Sequence, residues 1–202
     1  SFYNQTKDEG IKPTPAIGGV GLIKDYNKMI TMDFKEIDNV VLVIGKTEGH
    51  LDQSLFARNI LDEKNGPPPE INLFNEKNNG ETLLKLIENS LIKSAHDVSL
   101  GGIITAVAKM CIKGNKGINL NKPKYLINEM EYFFAEDQGR YIIEISKKNV
   151  KKVTDILNKN AVHFDELGTI NENELYIDQK TKVAIDVLRS SNTNWLSEYM
   201  NK

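Results

Sequence analysis

The sequence predicts an α/β (α+β) fold, in which helices flank a mixed β-sheet. Its composition, with 40% hydrophobic and 27% charged residues, is that of an ordinary globular protein. Runs of β-branched residues alternate along the chain with segments of helical periodicity. A chain of 202 residues can bury roughly 70% of its unfolded surface, so its core needs neither disulfides nor metal ions.

The beginning of the chain contains a loop, a glycine-rich strand and a buried strand. Residues 1–15 are polar and end in two prolines, which predicts a loop. Residues 16–23 combine small and β-branched residues with three glycines. This pattern predicts a strand that lies at a sheet edge or lines a ligand-binding site. Residues 39–45 form a continuous β-branched run, which predicts a strand covered on both faces. We place a domain boundary before this run, so that 1–37 and 38–202 belong to different domains.

Helices and strands alternate in the rest of the chain. Apolar residues at spacings of three and four indicate helices, and Ser99 is a favourable N-cap for the helix that Gly114 closes. The predicted helices cover 53–61, 81–92, the segment between Ser99 and Gly114, 147–157, and a C-terminal helix docked by Trp195, Leu196 and Tyr199. The predicted strands are a short one leading into the turn at 94–102, then 141–145, 162–170 and 175–177.

Charge, hydropathy and cysteine content exclude several classes of function. The net charge is −2 and the lysines are scattered, so we expect no nucleic-acid partner. No apolar run reaches the roughly 18 to 20 residues that cross a bilayer, so we expect no membrane partner. Cys111 is the only cysteine and falls on an apolar helical face, which excludes disulfides and predicts a core residue. We therefore expect a cytoplasmic protein. The chain begins at Ser1 rather than at methionine, and we expect that a preceding segment was removed.

The turn at 94–102 is a candidate anion-facing or nucleotide-facing turn. Its candidate residues are His96, Asp97, Ser99, Gly101 and Gly102. A helix N-terminus presents free N–H groups to anions, and glycines allow close approach. Alternatively, Ser99 caps the helix, His96 and Asp97 satisfy local backbone groups, and the glycines permit tight packing. A His–Asp pair without a partnered nucleophile assigns no catalytic residue.

A second polar cluster lies at residues 135–140. Glu136, Asp137 and Arg140 could hold a metal or bind an oxyanion. We favour the alternative, a turn in which Arg140 pairs with one of the two carboxylates, and we assign no metal ligand. The isolated His50 and His163 are interpreted as surface residues, and the lysines that begin the helix at 147–157 as a solvated face.

Four stretches of the chain, in this order, resemble one enzyme family. They are SFYNQ at 1–5, PTPAIGGVG at 13–21, AHDVSLGG at 95–102 and EDQGRY at 136–141. They resemble the C-terminal portion of the phosphoribosylformylglycinamidine synthase family, synthetase subunit, and the resemblance covers nearly the whole chain. It implies that 38–202 is an AIR-synthase-like C-terminal domain. It also implies that 1–37 is a terminal strand segment of the second AIR-synthase-like N-terminal domain, which is of the ATP-binding type.

The resemblance also implies an activity, cofactors and partners. Enzymes of this family are ATP-dependent amidine-forming ligases of de novo purine biosynthesis. They convert formylglycinamide ribonucleotide and glutamine-derived ammonia to formylglycinamidine ribonucleotide. ATP and Mg²⁺ are the implied cofactors, and the rest of the enzyme, a glutaminase subunit and a small bridging subunit are the implied partners.

The resemblance carries few site residues onto this chain. Ser1 matches a serine that contacts the ribonucleotide, whereas the residues that hold ATP and Mg²⁺ belong to parts that precede Ser1. Gln5 and Leu100 depart from the family pattern, where acidic residues are more usual. We therefore expect this chain to be inactive by itself.

Two alternative functions remain open. One is a related ATP-dependent synthetase, such as aminoimidazole ribonucleotide synthase or selenophosphate synthetase, which share the fold. The other is a non-catalytic domain that docks subunits. The glycines at 18–21 bear on this choice, because an empty cleft beside them favours ligand lining and a neighbouring helix favours docking or packing.

Overall fold

A seven-stranded mixed sheet forms the centre of the fold. The computed structural model describes residues 4–11, 15–121, 128–177 and 180–201. The strands are β1 (Gln5–Thr6), β2 (Glu9–Gly10), β3 (Val40–Ile44), β4 (Ser94–Asp97), β5 (Gly117–Leu120), β6 (Tyr141–Ile145), β7 (Phe164–Asn171), β8 (Glu174–Ile177) and β9 (Thr181–Ala184). The β1 and β2 strands form a separate pair, and the main sheet has the order β4-β6-β3-β7-β5-β8-β9. Among the strands of the described residues, only β5 and β8 are parallel neighbours, which confirms the predicted mixed sheet.

Helices cover both faces of this sheet. They are α1 (Leu55–Asn59), α2 (Leu73–Glu88), α3 (Gly102–Gly114), α4 (Glu129–Phe134), α5 (Val150–Lys159) and α6 (Ile185–Met200). The α2 and α5 helices pack on one face, and α3, α4 and the start of α6 pack on the other. No helix in the described part of the chain has both the length and the apolar character needed to cross a membrane.

The central strand β3 joins the two hydrophobic cores. Val41 and Val43 contribute to the core beneath α3, whereas Leu42 and Ile44 contribute to the core beneath α2 and α5. Successive side chains of a strand point to opposite faces, so a strand buried on both faces must be apolar throughout. The prediction of a strand covered on both faces is confirmed.

A bulge in β7 lets this strand pair with β3 and β5 at once. The register shifts so that Val41 faces Gly168 while Leu42 faces Glu166, which leaves Leu167 as the extra residue. Gly168 has φ +150°, and a Cβ at this position would lie 1.8 Å from the carbonyl oxygen of Asn119. Only glycine fits there, because any side chain would overlap the neighbouring strand.

Two helices begin at different residues than predicted. The α2 helix begins at Leu73 rather than near 81, because the side chain of Asn72 accepts a hydrogen bond from the N–H of Asn75 at 3.0 Å. The prediction that Ser99 caps α3 is wrong, since Gly101 occupies the N-cap position with φ +82°. Gly114 is the last residue of α3, and the left-handed residue that follows is Asn115.

The prediction of a strand over 16–23 is wrong. These residues have no regular secondary structure, and no atom lies within 4 Å of a Cβ built on Gly18, Gly19 or Gly21. A strand is stable only where a neighbouring strand forms hydrogen bonds with its backbone N–H and C=O groups. No strand among the described residues pairs with 16–23. These glycines therefore contact neither a helix nor a ligand-lining surface of the described chain.

The predicted docking of the C-terminal helix through its aromatic residues is also wrong. The α6 helix forms as expected, but Trp195, Leu196 and Tyr199 are more than half exposed. The helix is instead anchored at its beginning, where Ile185 is buried in the core beneath α3.

Cys111 lies in the core, as predicted, and its chemistry follows from this position. Burial raises the pKa of its thiol to about 12 from an ordinary value of 9.0. The unfolded chain loses this proton at lower pH than the folded chain. The free energy of unfolding should therefore fall between pH 9 and 12, by up to about 1.4 kcal/mol per pH unit.

We expect a thiol reagent at neutral pH to modify Cys111 only at the rate of unfolding. Equal modification rates in buffer and in urea would contradict this expectation.

Candidate functional site

Residues 135–140 link α4 to β6 and hold together three other segments of the fold. We call these residues the clamp turn. Its side chains accept hydrogen bonds from the loop at 45–50, from the start of α1 and from the turn before α3. The partners lie between 35 and 93 residues away along the sequence. The clamp turn therefore fixes the relative positions of elements that are distant in the chain.

Glu136 occupies the N-terminal ends of two helices. Its Oε1 atom accepts hydrogen bonds from the N–H groups of Leu55 in α1 and Gly101 before α3, both at 2.8 Å. The first N–H groups of a helix have no partner within the helix and favour a negative charge. The anion at the start of α3 is thus a carboxylate of the chain itself.

Asp137 binds the backbone of the loop that follows β3. Its carboxylate accepts hydrogen bonds from Glu48 at 3.0 Å, Gly49 at 3.2 Å and His50 at 3.3 Å. Three successive N–H groups directed at one carboxylate form an anion-binding concavity in the backbone. This loop is consequently held in one conformation, next to the open cleft described below.

Arg140 is the largest fully buried side chain of the clamp turn, with 1% of its surface exposed. Its Nε donates to the carbonyl oxygen of Asp137 at 3.0 Å, and its Nη2 donates to that of Ala135 at 2.7 Å. Its Nη1 donates to the hydroxyl of Thr47 at 3.0 Å and lies 3.9 Å from a carboxylate oxygen of Asp137. The guanidinium thus closes the turn, as the favoured interpretation of this cluster expects.

The clamp turn does not fit a magnesium ion. Mg²⁺ requires oxygen ligands in near-octahedral geometry, usually from carboxylates. Both carboxylates of the turn already accept backbone N–H groups. Within 4–11, 15–121, 128–177 and 180–201, no group of three His, Cys, Asp or Glu side chains is placed to hold a metal ion. We therefore derive no step of a reaction through a metal bound to this chain.

The turn at 94–102 brings His96, Asp97 and Ser99 together. His96 Nδ1 lies 3.0 Å from Asp97 Oδ1, and its buried Nε2 has no hydrogen-bond partner among the described residues. Partial burial acts to raise the pKa of Asp97, but the hydrogen bond with Ser99 and the nearby His96 outweigh it and lower this pKa. The three residues form a local polar network. Its role toward an anion or a nucleotide stays a prediction.

The glycines of this turn serve close packing inside the chain. A Cβ on Gly102 would lie 2.6 Å from the carbonyl oxygen of Phe133 and 2.7 Å from that of Ala135. The start of α3 therefore approaches the end of α4 more closely than a side chain would permit. The remaining candidate, Ser1, lies outside the described residues.

Sequence reasoning missed an open cleft of about 960 Å³ beside the clamp turn. It lies between the loop at 45–50 and the first turn of α2. Its ionisable side chains are Lys46, Glu48, His50, Glu70, Glu76, Asp137 and His163. The histidines interpreted as isolated are at its wall, with His50 Nε2 3.0 Å from the Pro67 carbonyl oxygen and His163 Nε2 3.5 Å from Asp165. Acidic groups outnumber basic ones, so the cleft is a poor site for a polyphosphate.

Replacing Glu136 with alanine should destabilise the fold by about 2 kcal/mol, because two helix starts lose their acceptor at once. Urea unfolding followed by circular dichroism measures this change. Glu136→Gln is the matched control, since an amide oxygen still accepts both hydrogen bonds, and it should lose less than half as much. Equal losses in the two variants would show that the N–H groups do not need this acceptor.

Comparison with known proteins shows that this chain is similar to part of longer proteins. It is 75% identical over 200 residues to the phosphoribosylformylglycinamidine synthase subunit PurL of Pelagibacter ubique, covering 99% of this chain and 27% of that protein. The PurL subunit of Rhodopseudomonas palustris is 36% identical over the same share of both chains. The chain thus spans about a quarter of the length of the curated relatives it matches.

The fold is similar to that of a solved structure, Thermotoga maritima PurL complexed with FGAR. The TM-score is 0.66 at 19% identity, covering 81% of this chain and 30% of the other, and such a likeness shows the fold alone. The sequence model of the family described as AIR synthase related protein, C-terminal domain, matches residues 36–179. With most of its length matched by that model, the chain belongs to the family of AIR synthase related proteins and carries their C-terminal domain.

Proposed function

We propose that this chain is the C-terminal part of a phosphoribosylformylglycinamidine synthase, synthetase subunit. The observation that carries the proposal is the 75% identity over 200 residues with a subunit of that name. The full-length enzyme would convert formylglycinamide ribonucleotide, ATP and glutamine-derived ammonia to formylglycinamidine ribonucleotide. A glutaminase subunit and a small bridging subunit would deliver the ammonia. A PurL with the same fold has been solved in complex with FGAR.

The proposed reaction activates an unreactive amide, whose carbonyl oxygen is a poor leaving group. Transfer of the γ-phosphoryl group of ATP to this oxygen would release ADP and give an imidate phosphate, and ammonia would then add at that carbon and displace inorganic phosphate to leave the amidine. Mg²⁺ would balance the phosphate charge when bound, and among the described residues no group of three His, Cys, Asp or Glu side chains is placed to hold it. The contribution of this chain is therefore positional. Its sheet and clamp turn fix the surface at 94–102, and Ser1 would contact the ribonucleotide.

The division into residues 1–37 and 38–202 is part of this proposal. The match of the family model to 36–179 supports a domain that begins near this boundary. The segment before it exposes Ile17, Val20 and Leu22 almost completely, as expected for apolar residues that another part of the full-length protein covers. Residues 1–37 would then be the tail of the second ATP-binding-type domain.

Turnover assays of the full-length protein and of this 202-residue chain test the proposal. We expect ATP hydrolysis in the full-length protein only when formylglycinamide ribonucleotide and ammonia are both present, with the amidine as product. The 202-residue chain should give none. Turnover by the 202-residue chain would refute the proposal. So would a full-length protein that accepts a substrate of aminoimidazole ribonucleotide synthase or selenophosphate synthetase instead.

A further inference from the structure

The two halves of α6 have different environments. In the first half, Ile185 is buried and Leu188 packs against the core beneath α3. Arg189 donates from Nη2 to the side-chain oxygen of Asn115 at 2.6 Å, just after the end of α3. These contacts fix the direction in which the rest of the helix leaves the domain.

The second half of α6 exposes a compact apolar surface. Trp195, Leu196, Tyr199 and Met200 are between 52% and 73% exposed. Their positions are spaced by one, four and five residues, so they share one side of the last two turns. We call these four residues the α6 patch. Four large apolar side chains gathered on one side of a helix mark a surface that another part of a protein covers.

The α6 helix lies outside the residues that the family model matches. The family model ends its match at residue 179, before α6 begins. The match to the Pelagibacter ubique subunit, in contrast, extends over 99% of the chain and so includes α6. The likeness to the long synthase subunit therefore includes α6, and nearly three quarters of that subunit lie outside the matched region.

The size of the α6 patch favours a partner within the same polypeptide. The four side chains of the α6 patch could together bury roughly 500 Å² of accessible surface. Stable complexes of separate chains bury more, about 800 Å² on each partner. A segment of the same chain is already present at a high effective concentration, so a smaller interface suffices. Interfaces between domains of one chain are accordingly smaller and less apolar than obligate subunit interfaces.

We propose that the α6 patch packs against the part of the full-length polypeptide that precedes Ser1. The patch thus serves as a contact between this domain and the rest of the synthetase. This inference rests on the proposed function, because it requires the long subunit. A second copy of the chain and a separate subunit are the competing occupants.

Oxidative footprinting tests the proposal, because Trp195, Tyr199 and Met200 all react readily with hydroxyl radicals. We expect their oxidation, measured by mass spectrometry, to be about tenfold slower in the full-length protein than in the 202-residue chain, since covered side chains exclude the reagent. The full-length protein is studied without other subunits and at two concentrations. Equal oxidation in both proteins would overturn the proposal. Protection that depends on concentration, or that needs an added subunit, would overturn it as well.

A double variant and a matched control show whether the protection from oxidation depends on the α6 patch. Trp195→Ser with Tyr199→Ser should restore rapid oxidation of Met200 in the full-length protein, whereas Asn192→Ser on the same helix should not. Both variants should leave the stability of the 202-residue chain unchanged, which shows that they fold. A Met200 that stays protected in the double variant would contradict the proposal. Synthetase turnover of the same preparation separates the two proposals. An active protein with an unprotected patch refutes only this one, and an inactive protein with a protected patch refutes only the proposed function.

Discussion

Replacement of Arg140 with methionine is expected to lower the free energy of unfolding by about 3–5 kcal/mol. Methionine fills a similar space but donates no hydrogen bond. The carbonyl oxygens of Ala135 and Asp137 would lose their guanidinium donor, and so would the hydroxyl of Thr47. Buried polar groups without a partner account for most of the expected loss. Urea unfolding followed by circular dichroism measures it.

Two further variants make this expectation specific to the geometry of the guanidinium. Arg140→Lys keeps the charge but lacks the planar fork, so it should lose nearly as much stability as the methionine variant. Lys148→Met, on the exposed start of the 147–157 segment, should change the stability by less than about 0.5 kcal/mol. An Arg140→Lys protein as stable as the unaltered chain would show that charge alone holds the clamp turn.

Replacement of Glu144 with alanine should destabilise the fold by a similar amount, about 3–5 kcal/mol. This carboxylate in β6 is fully buried and accepts hydrogen bonds from the backbone N–H groups of Lys35 and Glu36 at 2.8 and 3.0 Å. It also accepts from the side chains of Asn39 at 2.7 Å and Ser94 at 2.9 Å. Its removal would leave four donors unpaired and free the segment that enters the domain.

Hydrogen exchange identifies the structural cause of the Glu144 effect. In Glu144→Ala, the amides of Lys35 and Glu36 should exchange much faster than those of β3, because the segment detaches before the sheet opens. Glu166→Gln, an exposed carboxylate change on β7, is the control and should alter neither exchange nor stability. Unchanged exchange at 35–36 in the alanine variant would mean that other contacts hold this segment.

The sheet was predictable from the sequence wherever a strand is apolar. The β3 and β6 strands are buried runs of β-branched residues, and both were predicted with nearly their observed bounds. The β5 and β9 strands were not predicted, because each has only four residues, too few to establish an alternation of polar and apolar residues. The start of α2 was not predicted for a related reason. Its first turns are rich in asparagine and charged residues, and only its second half packs on the sheet.

The candidate site was predictable in composition but not in its connections. The cluster of Glu136, Asp137 and Arg140 is visible in the sequence, whereas Thr47, 93 residues away, has no local sign that it accepts from Arg140. Ser99 has the side chain of an N-cap, but Glu136 supplies the acceptor for the turn before α3 from outside the segment. Local propensity predicts which residues can cap a helix, and tertiary structure decides which of them does.

We propose that the nucleotide chemistry of the full-length enzyme occurs in a site built from several domains, of which this chain supplies only one wall. Titration calorimetry of ATP with Mg²⁺ tests it directly, with circular dichroism first showing that the 202-residue chain is folded. The claim predicts stoichiometric binding to the full-length protein and no binding heat with the 202-residue chain. Stoichiometric binding of ATP and Mg²⁺ by the 202-residue chain would contradict it.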